Sequence, residues 1–104
     1  MYLVKVNFEN ELDLYAEDSI HALIMDRYNN DPLYYQLDVY ENNTVVIGVT
    51  DYDFAQDLID LFINPKNYES FFKDNWPDFD MDQEIIVSLK KMPSIKAVAG
   101  MTRF

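Results

Sequence analysis

The run Thr44-Val45-Val46-Ile47-Gly48-Val49 constrains this chain more than any other stretch. Branching at Cβ favours extended backbone, and consecutive apolar positions leave no face for water. The run therefore predicts a central strand covered on both faces. Gly48 within it predicts a bulge or a close backbone approach. The remainder of a 104-residue chain is enough for one domain over residues 1–104 that buries roughly two thirds of its unfolded surface.

The neighbours of that strand can be read from periodicity. Tyr2, Val4, Val6 and Phe8 alternate with Leu3, Lys5 and Asn7, the pattern of a half-buried strand. After a turn at Glu9-Asn10-Glu11, Leu12, Leu14 and Ala16 alternate again, which predicts a second strand closing a hairpin. Asp18 or Ser19 is placed to cap a helix bearing Ile20, Leu23, Ile24 and Tyr28, stopped by Asn29-Asn30-Asp31-Pro32. Leu33 to Glu41 reads as a third strand and Asn42-Asn43 as its turn into the β-branched run. Thr50 with Asp53 forms a capping box for a helix carrying Phe54, Leu58, Leu61 and Phe62. Pro65 opens a short helix through Tyr68, Phe71 and Phe72 that stops at Trp76-Pro77. Asp78 to Asp82 reads as an exposed loop, and Ile85 to Leu89 as the last strand. Residues 94–104 fit helix or strand equally. The expected fold is α+β: an antiparallel sheet of about five strands, in the order ββαββααβ, with two to three helices on one face.

Charge is what speaks to function. Nineteen acids face eight bases, for a formal charge of −11 with His21 neutral. Residues 1–89 hold every acid and four bases, a balance of −15, whereas residues 90–104 hold four bases and no acid. The basic, apolar C-terminal segment is expected to fold back on the acidic body. A body so negative repels DNA, RNA and anionic lipid and attracts basic partners. Direct nucleic-acid and membrane binding are therefore not expected. No apolar run reaches the ~20 residues of a membrane span, and the N-terminus alternates instead of forming a signal-peptide core, so a cytoplasmic protein is expected.

Catalytic chemistry finds few residues to use. Without cysteine, and with His21 as the one histidine, the chain has no thiolate zinc site, cysteine nucleophile or histidine-based triad. Asp78, Asp80 and Asp82 match the first ligand positions of a calcium loop. The glycine and glutamate that such a loop requires are here Gln83 and Leu89. The abundant carboxylates leave a glycosidic acid pair open, but a 12.3 kDa chain with two glycines, no phosphate-cradling loop and no evident pocket element is a poor candidate for it. The expectation is a non-enzyme without metal or cofactor.

Two acidic arrays remain. Asp53, Asp57 and Asp60 share one face of the predicted helix, Asp51 precedes them, and no Lys or Arg occurs from Asp51 to Pro65. Surface helices usually mix signs, because like charges four apart cost a few tenths of a kcal/mol. Asp74, Asp78, Asp80, Asp82 and Glu84 form the second array. Carboxylates at alternate strand positions stand roughly 6.5–7 Å apart, and those at i, i+4 on a helix roughly 6 Å along its axis. Those spacings are of the same order as phosphate spacing along a nucleic-acid strand. In this character the chain resembles small acidic inhibitors of host nucleases and repair enzymes carried by phages and mobile elements.

Eight tyrosines are more than the strands need, and Tyr52 and Tyr68 are candidate interface anchors. Met25, Met81, Met92 and Met101 read as core filler. The expected partner surface is Asp51, Asp53, Asp57, Asp60, Asp74, Asp78, Asp80, Asp82 and Glu84 with those two tyrosines. The expected partner is a basic nucleic-acid-binding protein, a nuclease or repair enzyme. An immunity or antitoxin role against a basic nuclease toxin, and a regulatory or scaffolding role, fit the same charges. A homodimer through an exposed strand edge stays open.

Overall fold

In a computed structural model, residues 1–28 and 35–92 are described. They form β1 (Tyr2–Phe8), α1 (Ala16–Arg27), β2 (Tyr35–Tyr40), β3 (Thr44–Val49), α2 (Tyr52–Ile63), a 3-10 turn (Pro65–Asn67), α3 (Glu69–Asn75) and β4 (Ile85–Lys91). The strands make one antiparallel sheet in the order β2-β3-β1-β4. The α+β class is thus shown, with four strands among the described residues in place of five.

β3 behaves as its composition requires: it lies inside the sheet and all six of its residues are buried. Val45, Ile47 and Val49 join Val4, Val6 and Phe8 on the face that α1 and α2 cover. On the reverse face Gly48 makes no bulge, and what approaches it closely is side chains instead of backbone. A Cβ there would meet the Met1 Cε at 2.9 Å and the Leu3 Cδ2 at 3.4 Å. α2 lies over β1 and β4, and α1 over β2. The Phe8 end of the sheet is filled by aromatic rings: Phe79 stands 6.1 Å from Phe8, 6.0 Å from Tyr68 and 4.8 Å from Trp76.

The hairpin strand expected over Leu12 to Ala16 does not form. β1 already has two partners, β3 on one side and β4 on the other, so no edge remains for it. Leu12 instead donates its amide to the Asn42 carbonyl (2.6 Å), and α1 begins at Ala16, ahead of the expected caps Asp18 and Ser19. The capping box also shifts by one residue. Asp51, not Thr50, is the N-cap of α2, its Oδ2 accepting from the Phe54 amide at 3.1 Å. The β2–β3 turn likewise places its left-handed residues at Glu41 and Asn42, one position earlier than Asn42-Asn43. The single helix expected after Pro65 is split into the 3-10 turn and α3, which ends at Trp76 as expected. The Asn29–Pro32 stop and the C-terminal segment beyond Met92 lie outside the described residues. Among the described residues no helix is long and apolar enough to cross a membrane.

Candidate functional site

α2 and the loops at the Phe8 end of the sheet carry the acidic arrays. α2 starts beside the Tyr2 end, where the Tyr2 and Tyr52 rings meet edge-on at 5.3 Å. It finishes toward the opposite end, where Phe62 meets Tyr68 of the aromatic cluster. Leu58, Leu61 and Phe62 are buried beneath it, so the 3.6-residue period turns Asp53, Asp57 and Asp60 outward, and all three are exposed. Their carboxylates make no hydrogen bond or ion pair among the described residues.

Arg27 borders this face. It shares a groove with Tyr28, Asp57, Asp60 and Asn67. Its guanidinium is used on Asn67, donating to the backbone oxygen at 2.7 Å and to Oδ1 at 3.3 Å. Tyr28 senses the resulting field. Burial pushes its phenol above the ordinary value, Asp57 and Asp60 push it further, and Arg27 pulls it back. The Tyr28 hydroxyl donates to the Asp57 carbonyl at 3.3 Å, which joins α1 to α2.

The second array has a different construction. The loop between α3 and β4 lies against the loop between β1 and α1. Asn10 donates its side-chain amide to Asp80 Oδ2 (3.1 Å) and its backbone amide to Gln83 Oε1 (3.1 Å), while Glu84 N–H donates to Glu9 Oε1 (2.8 Å). Asp80 Oδ1 also accepts from the Asp82 amide at 2.9 Å. Asp13 accepts from the Tyr15 amide (2.9 Å) and the Trp76 indole (3.1 Å). Sequence reasoning found Asp78, Asp80, Asp82 and Glu84 but missed Glu9, Glu11 and Asp13, which the loop pairing brings to the same end. The strand order alone carries that information, and no local spacing signals it. Asp78, Asp82 and Glu84 side chains are exposed and without partners among the described residues, as is Asp74 at the end of α3. The ion pair seen on α3 joins Lys73 to Glu69 at 3.4 Å and involves none of the expected site.

The tyrosine expectations divide. Tyr52 is half exposed and accepts from the Gln56 amide at 2.9 Å. Tyr68 is 3% exposed, packed 5.3 Å from Phe72, and is corrected to a core residue. The position after Pro65–Asn67 turns its ring inward, where the sequence pattern had left it free. Met25 is corrected in the other sense, since it is exposed on α1. His21 is half-buried, its Nδ1 2.7 Å from the Tyr35 hydroxyl. Among the described residues no group of three His, Cys, Asp or Glu side chains is arranged to hold a metal ion.

The chain thus presents two anionic surfaces of unlike build: a helix face whose acids are free, and a loop end whose acids partly tie the backbone. Comparison with protein-family models, with curated proteins and with solved structures found no match for this chain.

Proposed function

We propose that this is a non-enzymatic binding protein that occupies a basic, nucleic-acid-binding surface of another protein, in the manner of a phage or mobile-element inhibitor of a nuclease or repair enzyme. One observation supports this reading above the rest. Asp53, Asp57, Asp60, Asp74, Asp78, Asp82 and Glu84 stand exposed, with neither a base nor a hydrogen-bond donor engaging their carboxylates among the described residues. Like charges at helical spacing destabilise the free protein by a few tenths of a kcal/mol per pair. A lysine- and arginine-lined groove placed over them would relieve that repulsion and lose its own counterions, so association would be fast and sensitive to salt.

The test begins with an affinity pull-down from host cells and continues with the purified partner. Binding should weaken steeply between roughly 50 and 200 mM salt and should compete with DNA or RNA for the same protein. The triple change Asp53→Asn, Asp57→Asn, Asp60→Asn should weaken binding by about tenfold or more, a loss of ~1.4 kcal/mol. Affinity that ignores both salt and the triple change would remove the basis of the proposal.

A further inference from the structure

Leu14 is 90% exposed and Tyr15 63% exposed, side by side at the entrance to α1. A leucine left in water forgoes the favourable free energy of burial, and a loose loop would turn it inward. This loop is not loose. Leu12 is tied to the Asn42 carbonyl at 2.6 Å, and the Ala16 amide donates to the Asp13 carbonyl at 3.3 Å. The Asp13 carboxylate holds both the Tyr15 amide and the indole of buried Trp76. The backbone is fixed on either side of Leu14, so the side chain is held outward by the fold itself.

The charged residues that flank the pair in sequence are acidic. Glu9, Glu11, Asp13, Glu17 and Asp18 are exposed, and no lysine or arginine occurs between Lys5 and Arg27. We infer that Leu14 and Tyr15 are the apolar anchor of the interaction surface, and that the partner is a protein offering an apolar pocket rimmed by lysine and arginine. A rigid anchor loses little conformational freedom on docking, and a central apolar contact inside a charged rim is where interface energy concentrates. The same rim disfavours a symmetric pairing of two copies through this turn, because acid would face acid. This inference rests on the proposed function for the sign of the partner's charge and adds the position and chemistry of the contact.

The experiment uses the full chain with the photo-reactive residue benzoylphenylalanine at position 14 and, as a control, at position 86, since Ile86 is 59% exposed on β4, on the sheet face turned away from α1 and α2. Each is irradiated in host extract. The protein captured from position 14 is purified and its affinity measured against Leu14→Ser, Tyr15→Ser and Ile86→Ser chains. Expected is capture from position 14 and not from 86. Leu14→Ser should weaken binding by about tenfold or more and Ile86→Ser by no more than about twofold, with thermal unfolding of both variants unchanged. Absence of capture from position 14, capture of a second copy, or equal binding by Leu14→Ser overturns the inference. The two readings fail separately. Steep salt dependence with an indifferent Leu14→Ser removes the anchor and leaves the acidic reading. Loss on Leu14→Ser with flat salt dependence keeps the anchor and removes the acidic reading.

Discussion

Asp53, Asp57 and Asp60 on α2 and Glu9, Asp13 and Asp80 at the loop end are the same chemistry put to opposite use. The helix carboxylates project from a ridge whose other side is buried Leu58, Leu61 and Phe62, and no hydrogen bond or ion pair among the described residues uses them. The loop carboxylates accept from Tyr15, Trp76, Asp82, Glu84 and Asn10, and through those bonds two segments distant in sequence become one surface. An acid is inexpensive to the fold where the backbone meets its own hydrogen bonds, as in α2, and is needed where irregular backbone leaves N–H groups without partners. Negative charge alone therefore does not identify a binding residue. Negative charge that the fold does not use is the better marker.

Removing an acid from each region sharpens that contrast. Asp13→Ala, which leaves the Trp76 indole and the Tyr15 amide unpartnered, should lower unfolding free energy by about 2 kcal/mol, because hydrogen bonds to a charged acceptor are worth ~1.5–3 kcal/mol. Denaturant titration would measure it. A loss under about half a kcal/mol would mean that the loop does not rely on this carboxylate.

A smaller effect is expected on the helix. The combined Asp53→Asn, Asp57→Asn and Asp60→Asn chain should stay within about half a kcal/mol of the parent, since relief of like-charge repulsion is set against the loss of an acid at Asp53 in the first turn of α2. A clear fall in thermal unfolding temperature would show that these acids serve the fold after all and would erase the distinction between the two regions.

The smallest readout is the Tyr28 phenol, which reports the α2 field directly. Asp57→Asn should lower its titration midpoint, and Arg27→Gln should raise it, read from the ring-carbon chemical shift of Tyr28 in an alkaline series. Tyr28, Tyr35 and Tyr68 are all pushed above 10.0 in the fold, each chiefly by burial. The unfolded chain therefore releases these protons first. The corresponding stability is complete below pH 10.0 and is lost as pH rises through the folded midpoints. A Tyr28 midpoint indifferent to Asp57 would place the negative potential elsewhere.

What periodicity conveyed was local. β1, β3, α2 and β4 follow from patterns within each segment, and all four stand close to where those patterns put them. The α2 acids were legible for the same reason, because helical spacing and burial of the opposite stripe suffice to turn them outward. The Leu12 to Ala16 segment was not legible. Its alternation suits a strand, yet a strand needs an unpaired edge, and β4, some seventy residues downstream, had taken the one beside β1. Tyr68 failed in a similar way, since only its neighbours Phe62, Phe72 and Phe79 explain why its ring is inside.

The sequence by itself determined the α+β class, the buried β-branched strand, the excess of acid over base and the exposed row on α2. Each of those rests on residues within a few positions of one another or on composition. The tertiary structure decided which acids are free and which are bound, the assembly of the loop end from two distant segments, and the outward lock on Leu14. Those outcomes depend on competition among distant segments for one sheet edge and for one set of hydrogen-bond partners, and such competition is settled only when the whole chain packs.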